Sequence, residues 1–454
     1  MKRRDVLRIG EASAVGALLP QAAEASEANR SPDEIVWSRK VPVRYNADVA
    51  VIGGGIAGVS AACAAARSGA KVVLVERFAI AGGDLTTGGV AAFCGETAGQ
   101  GEVFDEILGD LEKFNAVDSY EPYPKKDHRG FDHHILAIVL QEHLLRREVK
   151  LLLHTRFVDV RVSDGGRITE CILCGKSGPE ALRAKQFIDC TGDADVARRA
   201  GFAAMKGRPE DGLQLPMSMM FFVRHVELDQ AAAQLPEGWF QPCRTPGDLP
   251  MTSVWPNGPG SNAVKVKIPM FDATSTESLT AAEIRARRRV WEVLDYYQRV
   301  KPRPWRYDGC SPQIGIREGA RITGDYVLTL DDLRAGRKFE DAVARGVYCL
   351  DGHKPDDDKR TYILEKTEMR VPPYQIPLRS LIAKDGANLL MAGRCFSGEQ
   401  LALSSARVST TCSMMGQAAG IAAALSVQKQ TDVRQLDPHD VRRIVEERGA
   451  KLEL

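Results

Sequence analysis

The residues best placed by type and spacing to do chemistry are glycines. Gly53-Gly54-Gly55-Ile56-Ala57-Gly58 carries G-x-G-x-x-G at Gly53, Gly55 and Gly58, between a short β-branched run and an alanine-rich one. In that setting the first glycine permits a tight turn and the second lets backbone approach a pyrophosphate. The third lets a helix pack closely on the sheet. The start of that helix offers free N–H groups and a positive dipole end to phosphate. Glu76 closes the next apolar run, where a carboxylate accepts both hydroxyls of an adenosine ribose and disfavours a 2′-phosphate. Together these residues predict an adenine dinucleotide. A second small-residue loop, Ala81-Gly82-Gly83-Asp84-Leu85-Thr86-Thr87-Gly88-Gly89, follows directly. A nicotinamide enzyme rarely needs one there, whereas a flavin has a ribityl chain and three rings to seat along backbone. FAD is the expected cofactor.

These residues need a frame. Asp48–Ile52 and Lys71–Val75 read as buried strands, and Ile56–Ser68 as a helix ended by Gly69, so the segment is a βαβ unit with a right-handed crossover. Leu151–Val162 alternates apolar and polar, turns at Asp164-Gly165-Gly166, and returns through Ile168–Cys174. It ends in Phe187-Ile188-Asp189-Cys190, which completes a β-meander. Residues 203–375 are richer in proline, tryptophan and charge, with a turn at Pro256-Asn257-Gly258-Pro259-Gly260. A helix is predicted there over Ala281–Val300, opened by a Thr280/Glu283 capping box. Buried texture returns with a strand at 388–392 and a long small-residue helix through Leu425. The expected class is α/β: a Rossmann-like FAD-binding domain, parallel sheet with β-meander, in two parts (47–202 and 376–430). An inserted α+β cap or substrate domain (203–375) interrupts it, a linker (26–46) precedes it, and a tail or helix (431–454) ends the chain.

Across 454 residues, 61 basic and 60 acidic side chains nearly cancel, which gives no reason to expect nucleic acid or an anionic membrane surface as a partner. The ten cysteines are too sparse for a disulfide framework. Cys171 and Cys174 form a C-x-x-C, but within a strand and without a second pair at zinc spacing. His133 and His134 are adjacent, a poor arrangement for one ion, and no metal site is expected. At the N-terminus, Arg3-Arg4, a small-residue stretch and Ala23-Glu24-Ala25 resemble a twin-arginine export signal over residues 1–25. The expectation is export to the periplasm or beyond through the twin-arginine machinery, or a cytoplasmic protein should that signal not function. No run reaches the ~18 apolar residues of a membrane span.

Beyond the second loop the chain resembles the FAD-dependent oxidoreductases of the glutathione-reductase structural type, and a bacterial group among them. The likeness is carried by Phe187–Asp195, by Ile316-Arg317-Glu318 with Arg321-Ile322, by Leu350-Asp351-Gly352-His353 and by Ile376–Leu381. Asn388–Cys395, Arg407-Val408 and Gly416–Gly420 extend it to the last helix. The resemblance implies that Gly53, Gly55, Ile56, Ala57 and Gly58 hold the pyrophosphate and that Glu76 and Arg77 hold the adenosine. It places Gly82, Gly83, Thr86 and Thr87 along the ribityl and flavin, and Phe157-Val158 at the adenine. Thr191-Gly192-Asp193 would close the nucleotide and Gly393-Arg394 approach the flavin. The helix beginning near Arg407 would point its positive end at the pyrimidine edge.

On that reading the reaction is hydride transfer between a small organic substrate and flavin N5, with catalytic candidates where the cap faces the flavin: His353, Arg317, Arg379 and Arg394. Arginine clamps a carboxylate or polarises an oxygen, and histidine takes a proton near neutral pH. No second G-x-G-x-x-G follows a strand, and Cys94 stands without a vicinal partner, so oxygen, a quinone or a protein is the expected electron acceptor rather than pyridine nucleotide. Two other readings keep the cofactor: a flavin-containing lyase, isomerase or hydratase without net redox, and a non-catalytic flavin-binding protein.

Overall fold

A computed structural model describes residues 37–118, 128–231, 238–257 and 260–454; the export-signal segment 1–25 and residues 26–36 of the linker lie outside them. Two units are distinguished, Met1–Lys40 and Val41–Leu454; of the first, residues 37–40 carry no helix or strand. Within the second, the strands Lys150–Leu152, Val72–Val75, Val43–Ile52, Gly178–Asp189 and Leu389–Met391 pair in parallel, in that order. Arg167–Gly175 and Arg156–Ser163 extend the sheet as the antiparallel meander. The architecture is α/β, a Rossmann-like parallel sheet with a β-meander and an inserted region.

The sheet is buried on both faces, which is why Val49–Ile52 is apolar without alternation. Val49 and Val51 face a core shared with the helices Ile56–Arg67 and Ser409–Lys429, while Ala50 and Ile52 face the meander and Val196. Those two helices approach closely because a Cβ on Gly416 or Gly420 would overlap the backbone of Ala57 or Ala61. Small residues here bring the N-termini of both helices to one end of the sheet.

The inserted region builds an antiparallel sheet ordered Thr252–Pro256, Ser261–Ile268, Met217–His225, Trp305–Cys310. One face packs Met217, Met219, Phe221, Val264 and Val266 against the helix Thr276–Asp295. That helix starts four residues before the predicted capping box. Ser275 caps it by accepting from Ser278 N–H, and Thr280 lies inside, its hydroxyl donating to the Thr276 carbonyl. Its last predicted turn, Tyr296–Val300, is a π turn. The first strand begins at Val43, inside the predicted linker, because the long Gly178–Asp189 strand offers a partner as far back as Ala181. The boundary at 375/376 is crossed by the strand Tyr374–Pro377, which pairs with Ala342–Gly346. The long C-terminal helix is two helices, Gln400–Ala406 and Ser409–Lys429, and 431–454 contains the helix Pro438–Glu447.

A buried ion pair ties this region to the rest. Arg321 donates to Glu318 at 2.7 Å and to the Gly207 carbonyl at 2.9 Å, and Glu318 accepts from Leu215 N–H and the Gln400 amide. Both side chains are almost fully buried. Arg321→Ala strands a buried carboxylate and is expected to cost about 3–5 kcal/mol, read as a lower denaturant midpoint. Among the described residues no helix is long and apolar enough to cross a membrane, and no group of three metal-ligating side chains is assembled.

Candidate functional site

Register decides where the site lies. Leu152, Val75, Ile52, Asp189 and Met391 are aligned neighbours across the parallel strands. The residues that follow four of them, Glu76, Gly53, Cys190 and Ala392, therefore emerge together at the carboxyl edge, where open α/β sheets bind ligands. There a cavity of about 550 Å³ runs from these residues to the inserted sheet.

The glycine turn is built as its spacing demands. Gly53 has φ +102° and lies against Cys190 backbone, and a Cβ on Gly58 would overlap the Gly53 carbonyl oxygen. At Gly55 a Cβ would meet nothing within 4 Å, because this residue faces the cavity. Glu76 ties the turn to the next loop, accepting from Gly54 N–H at 2.7 Å and Phe78 N–H at 2.9 Å. Burial raises its carboxyl above the usual range, while those two N–H donors and Arg77 pull the other way. Ile56, Ala57, Arg77, Gly82, Gly83, Phe157, Thr191, Gly192 and Gly393 also line the cavity.

Gly58, Thr86, Thr87, Val158 and Asp193 do not line the cavity, and Gly58 packs on the Gly53 carbonyl. Thr86 and Thr87 are turned inward, their hydroxyls donating to the carbonyls of Ala81 and Gly83, so they shape the second loop without lining the cavity. Val158 is exposed, because strand alternation sends it opposite to Phe157. Asp193 lies behind the wall and acts through Arg394, which spans Asp84 at 2.9 Å and Asp193 at 3.4 Å. Burial pushes the Asp193 carboxyl up to about 6, against the pull of Arg394.

The catalytic candidates divide. Arg317 and Arg394 line the cavity; Arg379 and His353 do not. Arg379 pairs with Asp341 and stacks on Tyr326, half-exposed on another face. His353 is buried behind the wall, its Nε2 3.1 Å from Asp351 Oδ1. Burial and the nearby Arg317 bring it down to about 3, so it stays neutral at physiological pH and positions Asp351 rather than taking a proton. Asp351 also accepts from Arg407 at 2.7 Å. His353, Arg407 and Arg317 hold its carboxyl well below the usual range, against the effect of burial. Gly319 carries no side chain because a Cβ would collide with Asp193. Cys171 and Cys174 lie on one strand, one buried and the other exposed.

Sequence reading missed the far wall. Met220, Lys265, Ser253 and Trp255 line the cavity from the second face of the inserted sheet, with Asp351 and Tyr362 beside them. The signal was present as the alternation Ala263, Lys265, Lys267 within Ser261–Ile268, but an alternating polar face in an isolated strand reads as solvent-exposed.

The cavity fits a group carrying a diphosphate and a polar ring edge. The helices Ile56–Arg67 and Ser409–Lys429 start at its wall, and neither N-cap, Gly55 or Val408, gives a side-chain hydrogen bond to the first turn. Four buried polar atoms of lining residues, Arg394 Nε, Arg407 Nε, Gln313 Oε1 and Trp255 Nε1, have no partner among the described residues.

A geranylgeranyl bacteriochlorophyll reductase-like protein of Thermoplasma acidophilum is 11% identical, with TM-score 0.45 over 90% of this chain and 85% of its own. A p-nitrophenol 4-monooxygenase of Pseudomonas putida DLL-E4 is 14% identical, with TM-score 0.47 over 89% and 87%. No curated protein matches the chain. The family model described as FAD dependent oxidoreductase matches residues 48–445, spanning both parts of the parallel sheet and the insertion between them, and the chain therefore belongs to the FAD-dependent oxidoreductases, with FAD as its cofactor.

Proposed function

We propose that this oxidoreductase takes a hydride from a small organic substrate and passes the electrons to oxygen, a quinone or a protein rather than to pyridine nucleotide. The observation that carries the reading is the continuity of one cavity from the glycine turn to the charged wall of the insertion. Bound FAD supplies the redox centre, with N5 as the atom that takes up hydride. Gly53, Gly55, Glu76, Arg77 and Arg394 hold the nucleotide in this reading, with Gly58 closing the turn beneath them, and the insertion holds the substrate. The uncapped start of Ser409–Lys429 favours negative charge beside it, a fixed aid to hydride acceptance. Support for a non-pyridine acceptor is the single G-x-G-x-x-G turn, since a disulfide-reductase-type chain carries a second nucleotide-binding domain. Residues 1–25 direct export in the same reading, which cell fractionation checks.

An anaerobic screen tests it. Metabolites are added to the yellow holoprotein, and absorbance in the blue is followed. Bleaching by a substrate, with colour restored by oxygen or a quinone but not by NAD⁺ or NADP⁺, is the expected result. Turnover without bleaching would place the chain among the non-redox flavoproteins instead.

A further inference from the structure

The face of the inserted sheet that looks into the cavity mixes apolar residues with Ser218, Ser253 and Lys265. Register sets Met220, Lys265 and Ser253 side by side on three neighbouring strands, and Phe222, Ala263 and Trp255 side by side in the next row. Lys265 lines the cavity, yet its ammonium has no hydrogen bond or ion pair among the described residues. The carboxylate that acts on it, Asp351, is already engaged by Arg407 and His353. Arg317 stands close by. Its Nη1 donates to the Pro216 carbonyl at 2.7 Å and Ser218 Oγ at 2.6 Å, which fixes the guanidinium while its remaining N–H groups have no partner among the described residues. Arg407 also acts on Lys265 but is paired with Asp351, and Cys94 has its thiol pushed up by burial and stays neutral. Trp255 adds a buried indole N–H without a partner there. Lys265 and Arg317, the second anchored, thus face the cavity beside a carboxylate, Asp351, that Arg407 and His353 already engage. Unpaired charge in such a setting is costly until an anion arrives.

We propose that the substrate is a small organic acid whose carboxylate is gripped between Lys265 and Arg317, its apolar body lying against Met220 and Trp255. The proposal rests on the reading of this cavity as the flavin-linked substrate site, and it names the class of substrate. Lys265 and Arg317 are binding residues in it. The carboxylate is a handle and undergoes no change.

The test uses the holoprotein and three simple carboxylates, benzoate, phenylacetate and succinate, with benzamide as the neutral control. Binding is read by calorimetry and by the shift of the bound flavin's absorption. At least one carboxylate is expected to bind and benzamide not to. Lys265→Met is expected to weaken that binding by about ten- to a hundredfold, with Lys265→Arg retaining most of it. Because Lys265 has no partner to lose and its unpaired charge is costly, flavin content of the methionine variant should match the parent and its melting temperature should be no lower. Burial and Arg317 bring the Lys265 amine down to about 8, while Arg317 is brought down only to about 10. Carboxylate affinity should therefore fall as pH rises through about 8. Affinity that is unchanged in Lys265→Met, or equal for benzamide, overturns the clamp, as does failure of all three acids to bind a protein that retains flavin. A chain that takes up no flavin overturns the underlying reading instead, and calorimetry on the apoprotein then decides the clamp by itself.

Discussion

Gly55→Val should give a folded protein without colour. The residue has φ −62° and ψ 174°, ordinary extended backbone for any side chain, and a Cβ there touches nothing within 4 Å. Valine therefore disturbs no packing in the apoprotein and projects into the cavity where the cofactor's phosphates must approach. Filling space that a bound group needs should cost about 3 kcal/mol, roughly a hundredfold in flavin affinity. Unfolding of the apoprotein should keep its midpoint. Gly58→Val makes the contrast, because its side chain would be driven into the Gly53 carbonyl and must part helix from strand. That variant should lose stability before any cofactor is considered. Flavin titration and chemical denaturation of the two apoproteins separate these outcomes. If Gly55→Val retains parental flavin affinity, the glycine turn is not where the diphosphate lies.

Arg394→Met should be the most destabilising change in the cavity wall, and its effect should grow with pH. The arginine is the cation between Asp84 and Asp193, and removing it leaves two carboxylates facing one another with Arg77 as the remaining compensation. Breaking a buried pair from one side costs about 3–5 kcal/mol. Burial pushes the Asp193 carboxyl up to about 6 from an ordinary 3.8, with Asp195 and Asp84 acting in the same direction and Arg394 and Arg77 against it. A folded-state value raised above the unfolded one means that the folded protein holds the proton more tightly. The stability this confers is complete below the unfolded value and is lost as pH rises through the folded value. In the parent that loss ends near pH 6. Without Arg394 the folded value moves higher still, so the loss continues past neutrality. Denaturant midpoints should show a larger deficit at about pH 7.5 than at about pH 5, and a second change, Asp193→Asn, should recover much of it. An equal deficit at both pH values would mean that Arg394 contributes packing rather than charge.

The two variants probe different kinds of information. Gly53, Gly55, Gly58 and Glu76 were legible because their task is local. A strand end, a turn and a helix start lie within a few residues of each other, and the steric demands of that turn are written in the residues that make it. The meander was legible for the same reason, since alternation and a two-glycine turn dictate it. Arg379 and His353 were not. Both sit in segments that run beside the site, and the side of the backbone each side chain takes depends on partners such as Asp341 and Asp351, which no local pattern specifies. Thr86 and Thr87 were misplaced because small hydroxyl residues serve a turn's own carbonyls as readily as a ligand. Lys265 was invisible because a polar residue alternating in a strand is normally wet.

From its sequence alone this chain determined a dinucleotide-binding parallel sheet, the position of its phosphate turn and the presence of an insertion. These follow from short-range sterics and from burial on both faces of the central strands. Tertiary structure alone decided which charges look into the cavity. That depends on strand register between segments far apart in the chain, on the close approach of two helices at Gly416 and Gly420, and on which face of the inserted sheet the helix Thr276–Asp295 covers. Covering one face left the other, with its lysine, to roof the site.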